Sequence, residues 1–291
     1  MNEKRDAKQI CAKNIAAIEK KNRDQQTVIQ SSVDRTVNAQ KRYVRLDSIP
    51  KHFFDLQAFL EMPFFSLKKE ILKTDKIWQR EDKTAYLIRH KIDTEQPTLI
   101  DKTVFVFVIS QVLQHLNYHT NGPIPSNISI PTICFFHATN SNKSGRDYSR
   151  LRKSIERLCA AKFTLYSNRN NAYNTSVFRI FEAGEVSGKE IKVTISDWVR
   201  SRISNREVLK LHQNYLQTRG IITRRIYEIC RKHCGKNSKF SIRKEVLTKR
   251  IGSTSQNQRF LNKEIVKFNS AELGYSIVIE RNGFLTIIQK N

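Results

Sequence analysis

A regular spacing of cations is the first chemical feature of the sequence. Four cationic side chains recur at i, i+4, i+7 and i+11, the repeat of one helix face: Arg146, Arg150, Lys153 and Arg157. A helix fits the major groove of DNA, where arginine can bind guanine bidentately and lysine neutralises phosphate. With Arg152 beside it, this stripe predicts a contact with nucleic acid. A lone basic helix face that is simply solvated remains the alternative.

A second stretch follows the same plan with a shift of 110 residues. Leu151, Ile155 and Leu158 map onto Leu261, Ile265 and Phe268, so each stretch has an apolar stripe beneath its polar one. The predicted DNA-contacting residues of the second stretch combine base-reading and phosphate-binding types: Gln256, Asn257, Arg259, Asn262, Lys263 and Lys267. Ser253, Thr254 and Ser255 precede them as predicted caps and contacts. The recurrence favours tandem DNA-binding modules.

Three further arginines are candidates with weaker support. Arg169 lies in a polar stretch, residues 167–175, which predicts an exposed hairpin tip. Arg224 and Arg225 lie on a predicted long helix. They could bind backbone phosphates, or they could support the fold through ion pairs with Glu228 and Glu245, and the sequence leaves both alternatives open.

Other reactive residues do not form a recognisable site. Cys230 and Cys234, with His233 between them, resemble half of a metal site, but no second Cys/His pair is near and this spacing suits a helix core. The segment 184–190 resembles a phosphate-binding loop but is one residue short and has glutamate where serine or threonine should hold magnesium, so we interpret it as a turn. The sequence contains neither His-x-His nor His-x-x-Arg, which disfavours nicking initiators and tyrosine recombinases. We therefore expect no enzyme activity, no metal and no cofactor.

Apolar periodicity predicts the elements that position these residues. In the first half it predicts helices at 101–118, 130–137 and 146–161, and strands at 163–166, 176–181 and 190–195. In the second half it predicts a helix at 214–234 ended by Gly235, a helix at 241–251 with Ser241 as N-cap, a third helix, and a hairpin over 275–288 at Asn282-Gly283. The order predicts an α+β fold of two tandem winged-helix domains, helix-turn-helix variants with β-hairpin wings.

Charge is unevenly distributed along the 291 residues, whose net charge is +25. Residues 1–45 carry +6 and predict a flexible basic N-terminal arm; residues 46–140 are neutral; residues 141–204 carry +7 and residues 205–291 carry +12. We place the domains at 46–204 and 205–291. The longest apolar run has six residues and the five cysteines are scattered, so we expect a soluble cytoplasmic protein with a polyanionic partner and no membrane association.

The sequence also resembles a known family, the RepA-type plasmid replication initiators of the replication initiator protein A family. The resemblance is carried by residues 224–235 (RRIYEICRKHCG) with 252–255 (GSTS), and by residues 62–68 (MPFFSLK) and 148–158. It spans roughly residues 60–290. It implies two winged-helix domains that bind directly repeated sites (iterons) in double-stranded origin DNA, and it implies melting of adjacent AT-rich DNA. It further implies recruitment of the host initiator ATPase and replicative helicase, and a homodimer in equilibrium with a monomer.

The leading hypothesis is thus a bacterial plasmid replication initiator that promotes origin opening and helicase loading and represses its own gene. In it the second domain reads the major groove, while the first contacts the DNA backbone and forms the dimer interface. The alternative is a winged-helix transcriptional regulator. Two unlike modules on one chain favour asymmetric repeated sites over the palindrome of a symmetric dimer. An endonuclease or relaxase would require metal-dependent nicking.

Overall fold

The computed structural model describes residues 42–82, 84–118, 122–169, 172–235, 237–252 and 258–290. Residues 44–291 form one compact unit. The predicted basic arm lies outside the described residues except at its end, where Val44 and Arg45 form a short strand rather than a flexible tail.

The elements of the first part of the chain are, in order, β1 (Val44–Arg45), β2 (Phe54–Leu56), α1 (Gln57–Glu61), β3 (Lys76–Gln79), β4 (Ala85–Arg89), α2 (Lys102–Tyr118), β5 (Asn127–Pro131), α3 (Thr132–Ala138), α4 (Gly145–Ala160), β6 (Lys162–Arg169), β7 (Ala172–Arg179), β8 (Phe181–Ser187), β9 (Glu190–Ile195) and α5 (Asp197–Ser204). The second part contains β10 (Val208–Lys210), α6 (Ile221–Cys234), β11 (Lys239–Arg243), α7 (Lys244–Ile251), α8 (Gln258–Asn269), β12 (Tyr275–Ile279) and β13 (Phe284–Gln289). The fold is α+β, as the sequence predicts.

One topology occurs twice. The first module consists of α2, β5, α3, α4, β8 and β9, and its strands lie in the order β5–β9–β8, with β1 added in parallel to β5. The second module consists of α6, β11, α7, α8, β12 and β13, and its strands lie in the order β11–β13–β12. Each module is therefore a helix, a strand, two helices and an antiparallel hairpin, whose last strand lies in the middle of the sheet.

The described residues form two further sheets outside these modules. Strands β3, β4, β6 and β7 form a four-stranded antiparallel sheet, which we call the lateral sheet. Strands β2 and β10 pair across the predicted boundary at residue 204, with Leu56 opposite Val208. Buried side chains on both sides of that boundary belong to one continuous core. The domain boundary itself stays a prediction.

The first-module wing was wrongly predicted. The segments 163–166 and 176–181 were expected to form it, but β6 and β7 pair with each other and with β4 in the lateral sheet. The hairpin that occupies the equivalent place is β8–β9, whose turn contains Gly188 in a left-handed conformation, φ +60°. The predicted polar tip at 167–175 is also shorter than expected, because Ser167 pairs with Asn174 and Arg169 with Ala172.

Three predicted helix starts were wrong, two of them for the same reason. Ile130 lies in β5 opposite Ile191, so the helix expected from it begins at Thr132. Ser241 lies in β11 opposite Thr286 and is not an N-cap, so α7 begins at Lys244. In both cases a short strand pairs with a distant hairpin. The helix expected from residue 214 begins at Ile221, after turns between His212 and Thr218 and an N-cap at Gly220.

Other predicted elements are confirmed. Helix α2 spans nearly the whole predicted segment, and its valines and phenylalanines are buried. Gly235 follows α6 with φ +55°, and Gly283 lies at the β12–β13 turn with φ +82°, where glycine has no Cβ penalty. Among the described residues, no helix is both long and apolar enough to cross a bilayer.

Candidate nucleic-acid interface

Helix α4 begins with a reciprocal cap. The Ser144 hydroxyl accepts a hydrogen bond from the Asp147 amide, and the Asp147 carboxylate accepts one from the Ser144 amide. The hydrogen bond from the Ser144 side chain lowers the pKa of Asp147, so the carboxylate stays charged in the first turn, where the helix dipole favours a negative charge.

The apolar face of α4 packs against the β8–β9 hairpin of its own module. Leu151, Ile155 and Leu158 are buried, as their spacing predicts. Gly184 in β8 makes this contact close, because a Cβ placed there would lie only 2.7 Å from Cγ2 of Ile155. The opposite face of α4 consequently points away from the core.

Most of the predicted cations of α4 lie on that outward face. The exposed ones are Arg146, Arg150, Arg152 and Lys153. The side chain of Arg150 is 65% exposed, and its guanidinium lies 3.5 Å from the Asp147 carboxylate. Such an exposed pair contributes little and leaves the arginine able to move. These four residues form what we call the α4 patch.

Arg157 does not belong to this patch. Its side chain is only 11% exposed, and Nη2 lies 2.7 Å from Oδ1 of the buried Asp101. Nε donates to the other oxygen of Asp101 at 2.9 Å, and Nη1 contacts Glu95 at 3.1 Å. The prediction of a DNA contact for Arg157 is corrected: with these donors engaged internally, it joins α4 to the start of α2.

Helix α8, like α4, buries its apolar face and exposes its polar face. Leu261, Ile265 and Phe268 are buried, which confirms the apolar half of the 110-residue alignment. Of the predicted contact residues, Arg259, Lys263 and Lys267 are exposed and Asn262 is half-buried. We call these four the α8 patch. Lys267 lies 2.7 Å from Glu264, one turn earlier; the lysine side chain is 54% exposed, whereas the glutamate side chain is only 10% exposed.

Some predicted residues cannot be assessed in this way. Ser253, Thr254, Ser255, Gln256 and Asn257 lie outside the described residues. The backbone of Arg169 lies at the end of β6 in the lateral sheet, while its side chain is outside the described part. Their roles stay predictions.

Arg224 and Arg225 are buried, which favours the second of the two alternatives. Arg225 is 2% exposed and donates to the carbonyl oxygens of α1 and of Arg250 at 2.9–3.1 Å. Its Nη1 also lies 2.8 Å from the Glu228 carboxylate. Glu245, the other expected partner, makes no ion pair with any residue that the structure describes.

Arg224 is engaged in a similar manner. Nη1 donates to the Thr103 hydroxyl at 2.8 Å, Nη2 to the Leu216 carbonyl at 2.7 Å, and Nε to the Thr218 carbonyl. Its guanidinium carbon lies 5.6 Å from the centre of the Tyr215 ring. The predicted phosphate contacts of Arg224 and Arg225 are therefore corrected, because neither guanidinium faces solvent with donors to spare.

A buried ionic cluster joins α6 to β2 and α2, and the sequence analysis missed it. Lys102 lies 2.6 Å from Asp55 and 2.8 Å from Glu228, and Tyr215 donates to Glu228 at 2.5 Å. Burial raises the pKa of Asp55 to about 6. Burial acts in the same direction on Glu228, but Lys102 and Arg225 outweigh it and hold the pKa of Glu228 below its usual value.

Three exposed residues of the two modules were also missed. Val266 lies on the outward face of α8 with 67% exposure, a position from which an apolar group could contact a thymine methyl. Lys189 and Arg281 are exposed at the turns of the β8–β9 and β12–β13 hairpins. The repeat spacing identifies residues on the helix faces only. The signal that could have identified Lys189 and Arg281 is a cation next to a predicted hairpin turn, at Gly188 and at Asn282-Gly283.

The cysteines of α6 lie inside the second module. Cys230 and Cys234 are buried, and burial raises the pKa of both thiols. His233 stacks on Phe240 and contacts Nη1 of Arg250 at 2.6 Å; burial and that arginine lower its pKa to about 3. Within the described ranges, no group of three or more potential ligands could hold a metal ion.

Comparisons with known proteins point in one direction. The sequence model of the family "Replication initiator protein A" matches residues 55–272. A relative from Wigglesworthia glossinidia brevipalpis, described as "Putative replication protein", is 31% identical over 183 residues, which cover 59% of this chain and 66% of the relative, just under two thirds of its length. Two crystal structures of domains 2 and 3 of RctB are similar to this fold, with TM-scores of 0.58 and 0.56 and identities of 13% and 10%. They cover 80% and 81% of this chain, and 98% and 97% of their own.

Proposed function

The chain belongs to the replication initiator protein A family, and from this premise we propose that it is a plasmid replication initiator that binds directly repeated sites, iterons, in double-stranded origin DNA. One observation carries the proposal. The same helix–strand–helix–helix–hairpin topology occurs twice, and each copy turns a cationic face of its third helix away from the core.

Each module is proposed to be a winged helix. In that motif the third helix enters the major groove and the hairpin lies against the flanking backbone. The α4 and α8 patches occupy the groove-facing helix in this scheme, and Lys189 and Arg281 occupy the wings. Patches on two modules of one chain suit a site whose two parts differ in sequence.

The two patches suit different tasks. The α4 patch consists of arginine and lysine alone, which favours phosphate contact and guanine. The α8 patch includes Asn262, whose side-chain oxygen is buried, and the exposed Val266 lies one turn further on, so the patch adds an apolar contact for thymine to its cations. We infer that the second module reads most of the sequence and that the first contacts mainly the backbone.

The remaining steps are proposed from family membership. The bound protein opens adjacent AT-rich DNA, recruits the host initiator ATPase and the replicative helicase, and represses its own promoter. It acts in the cytoplasm by binding, with no catalytic step or cofactor of its own. Metal-dependent nicking of supercoiled origin DNA by the purified chain would contradict this part.

The lateral sheet is the proposed homodimer interface. One of its faces packs on the core through residues such as Trp78, Leu87 and Phe163. The other face leaves four large side chains exposed, at 66%, 38%, 42% and 58%: Ile77, Tyr86, Tyr166 and Val177. An apolar face of this kind suits a protein partner better than water.

The face is also self-complementary. Ile77 lies on one edge strand and Val177 on the other, while Asp75 adjoins the first edge and Arg179 the second. A two-fold axis parallel to the strands would set β3 of one copy against β7 of its partner, which brings opposite charges and apolar side chains together. We expect Val177→Glu to leave the protein monomeric in sedimentation velocity. Val278→Glu, at an exposed position of the second-module wing, is the matched control.

Selection of bound DNA from a random pool, followed by footprinting on the selected origin, tests the proposed function. Several directly repeated protected tracts support an initiator. One inverted repeat would favour the alternative, a winged-helix transcriptional regulator. Two unlike modules in each chain argue for the direct repeats.

A further inference from the structure

A cavity of about 400 Å³ lies between the lateral sheet and helix α7 of the second module. Its walls include the apolar residues Pro63, Phe65, Trp78 and Leu87. Three lysines line its rim: Lys68, Lys76 and Lys249. The first two come from the segment before and within β3, and the third comes from the last turn of α7.

Direct contacts fix this cavity beside the end of α7. Nε1 of Trp78 donates to the Lys249 carbonyl at 3.2 Å, and Arg250 forms an ion pair with Glu81 at 3.0 Å. Gly252, which ends α7 with φ +83°, lies so close to Pro63 that an added Cβ would be 3.1 Å from the proline Cβ. The rim lysines therefore keep a defined position relative to the helix that precedes α8.

The charges around the cavity are not balanced locally. Lys68 and Lys249 are exposed, and neither forms an ion pair with a carboxylate in the part of the chain that the structure describes. Lys76 lies 3.8 Å from Glu70, but that carboxylate already binds Arg89 at 3.1 Å and accepts from Ser66. One carboxylate thus faces four cations among the lining residues.

We propose that Lys68, Lys76 and Lys249 bind phosphates of duplex DNA beside the groove that α8 enters. The inference rests on the proposed function. In helix-turn-helix proteins the helix before the reading helix crosses the DNA backbone, and α7 holds that place in the second module. Lys76 of the lateral sheet and Lys68 of the segment before it then contribute two cations that the second module alone would lack.

Salt dependence of duplex binding is the first test. The variant Lys68→Gln/Lys76→Gln/Lys249→Gln is compared with the wild-type chain on a fluorescent mixed-sequence duplex, by anisotropy over a series of salt concentrations. Each lost phosphate contact lowers the salt slope by about 0.9 and the affinity at 0.1 M salt about eight-fold, so three contacts predict a loss of two to three orders of magnitude.

A matched variant controls for net charge. Lys210→Gln/Lys239→Gln/Lys290→Gln removes three exposed lysines on the side of the β12–β13 hairpin that lies away from its turn, where Lys239 pairs with Ile288 and Lys210 lines a cavity with Lys290. It should keep a slope within about one unit of the wild type. Circular dichroism and thermal unfolding check that both variants are folded, as exposed substitutions of this kind predict.

Tryptophan fluorescence gives a local second test, because the chain has only Trp78 and Trp198. In Trp198→Phe protein, the duplex should protect Trp78 from acrylamide at least two-fold. In Trp78→Phe protein, quenching of Trp198 should not change. Protection of Trp78 by polyglutamate but not by duplex would assign the cavity to an acidic polypeptide and overturn the inference.

The possible failures can be distinguished. If the wild-type chain binds no duplex, the proposed function itself fails. If it binds and both triple variants retain the same slope, only the role of the cavity lysines is refuted.

Discussion

Arg225→Met tests whether this arginine supports the fold or contacts DNA. The guanidinium donates to three carbonyls of α1, to the Arg250 carbonyl and to the Glu228 carboxylate, all at 3.1 Å or less. Methionine keeps most of the side-chain volume but supplies none of these donors. Removing one partner of a buried ion pair costs about 3–5 kcal/mol, and each carbonyl left without a donor adds about 1–3 kcal/mol.

We therefore expect Arg225→Met to lower the free energy of unfolding by at least about 4 kcal/mol, measured by urea denaturation followed by circular dichroism. In the wild type, the two positive and two negative charges of a buried cluster cancel: Lys102, Arg225, Asp55 and Glu228. Adding Glu228→Gln restores the balance and should recover at least about 1 kcal/mol. Because the pKa of Asp55 is already raised to about 6, protonation at pH 5 should also reduce the deficit relative to pH 7.

The opposite result would refute this reasoning. If Arg225→Met changed the free energy of unfolding by less than about 1 kcal/mol while duplex affinity fell, the arginine would be a DNA contact. Duplex affinity of the folded fraction is therefore measured on the same samples.

Three further predictions concern single positions. Arg259→Ala should weaken binding to the selected site by about 1–3 kcal/mol and have little effect on mixed-sequence DNA. Lys263→Ala should weaken binding to both DNAs and lower the salt slope by about one. Equal losses on both DNAs for Arg259→Ala would show that Arg259 does not contact bases specifically. Gly184→Ala should cost about 1–3 kcal/mol in urea denaturation because its Cβ would clash with α4, while Gly145→Ala, with no atom within 4 Å of its added Cβ, should be neutral. The pKa of His233 is about 3 in the folded protein and 6.5 in an open chain, so the unfolded state binds the proton at a higher pH than the folded state. The free energy of unfolding should therefore fall by about 2 kcal/mol between pH 7 and pH 5. If His233→Phe showed the same pH dependence as the wild type, this assignment would be contradicted.

Sequence periodicity was sufficient for the elements that position the patches. The apolar repeat of Leu151, Ile155 and Leu158 identifies the buried face of α4 without tertiary information, because helical geometry alone puts these residues on one side. The Asn282-Gly283 pair likewise identifies the β12–β13 hairpin, because few residues other than glycine and asparagine adopt the turn conformation.

Non-local pairing explains the elements that were missed. Strands β5 and β11 are short, and their partners β9 and β13 lie far along the chain. No local pattern distinguishes them from the first turn of the helix that follows. The wrong prediction of the first-module hairpin has the same origin. Strand β6 pairs with β4, which lies much earlier in the chain, and a local pattern cannot reveal that pairing.

Burial explains the arginines that were assigned wrongly. Arg157 belongs to the cationic repeat of α4, yet it faces Asp101, which belongs to another part of the chain. Arg224 and Arg225 lie on a helix that packs on several sides, so their position on the helix did not reveal their burial. Sequence reasoning expects an arginine to be exposed, because charged residues are seldom buried. Only the fold shows where a buried carboxylate or carbonyl oxygen binds it.

Hydroxyl-radical footprinting of one isolated site tests most directly whether the two modules share a single stretch of duplex. One variant, Arg150→Ala/Lys153→Ala, weakens the α4 patch, and the other, Arg259→Ala/Lys263→Ala, weakens the α8 patch. The account predicts that each variant exposes a different, adjacent part of the tract that the wild-type chain protects. Exposure of the same base pairs by both variants, or an unchanged footprint in either, would contradict it.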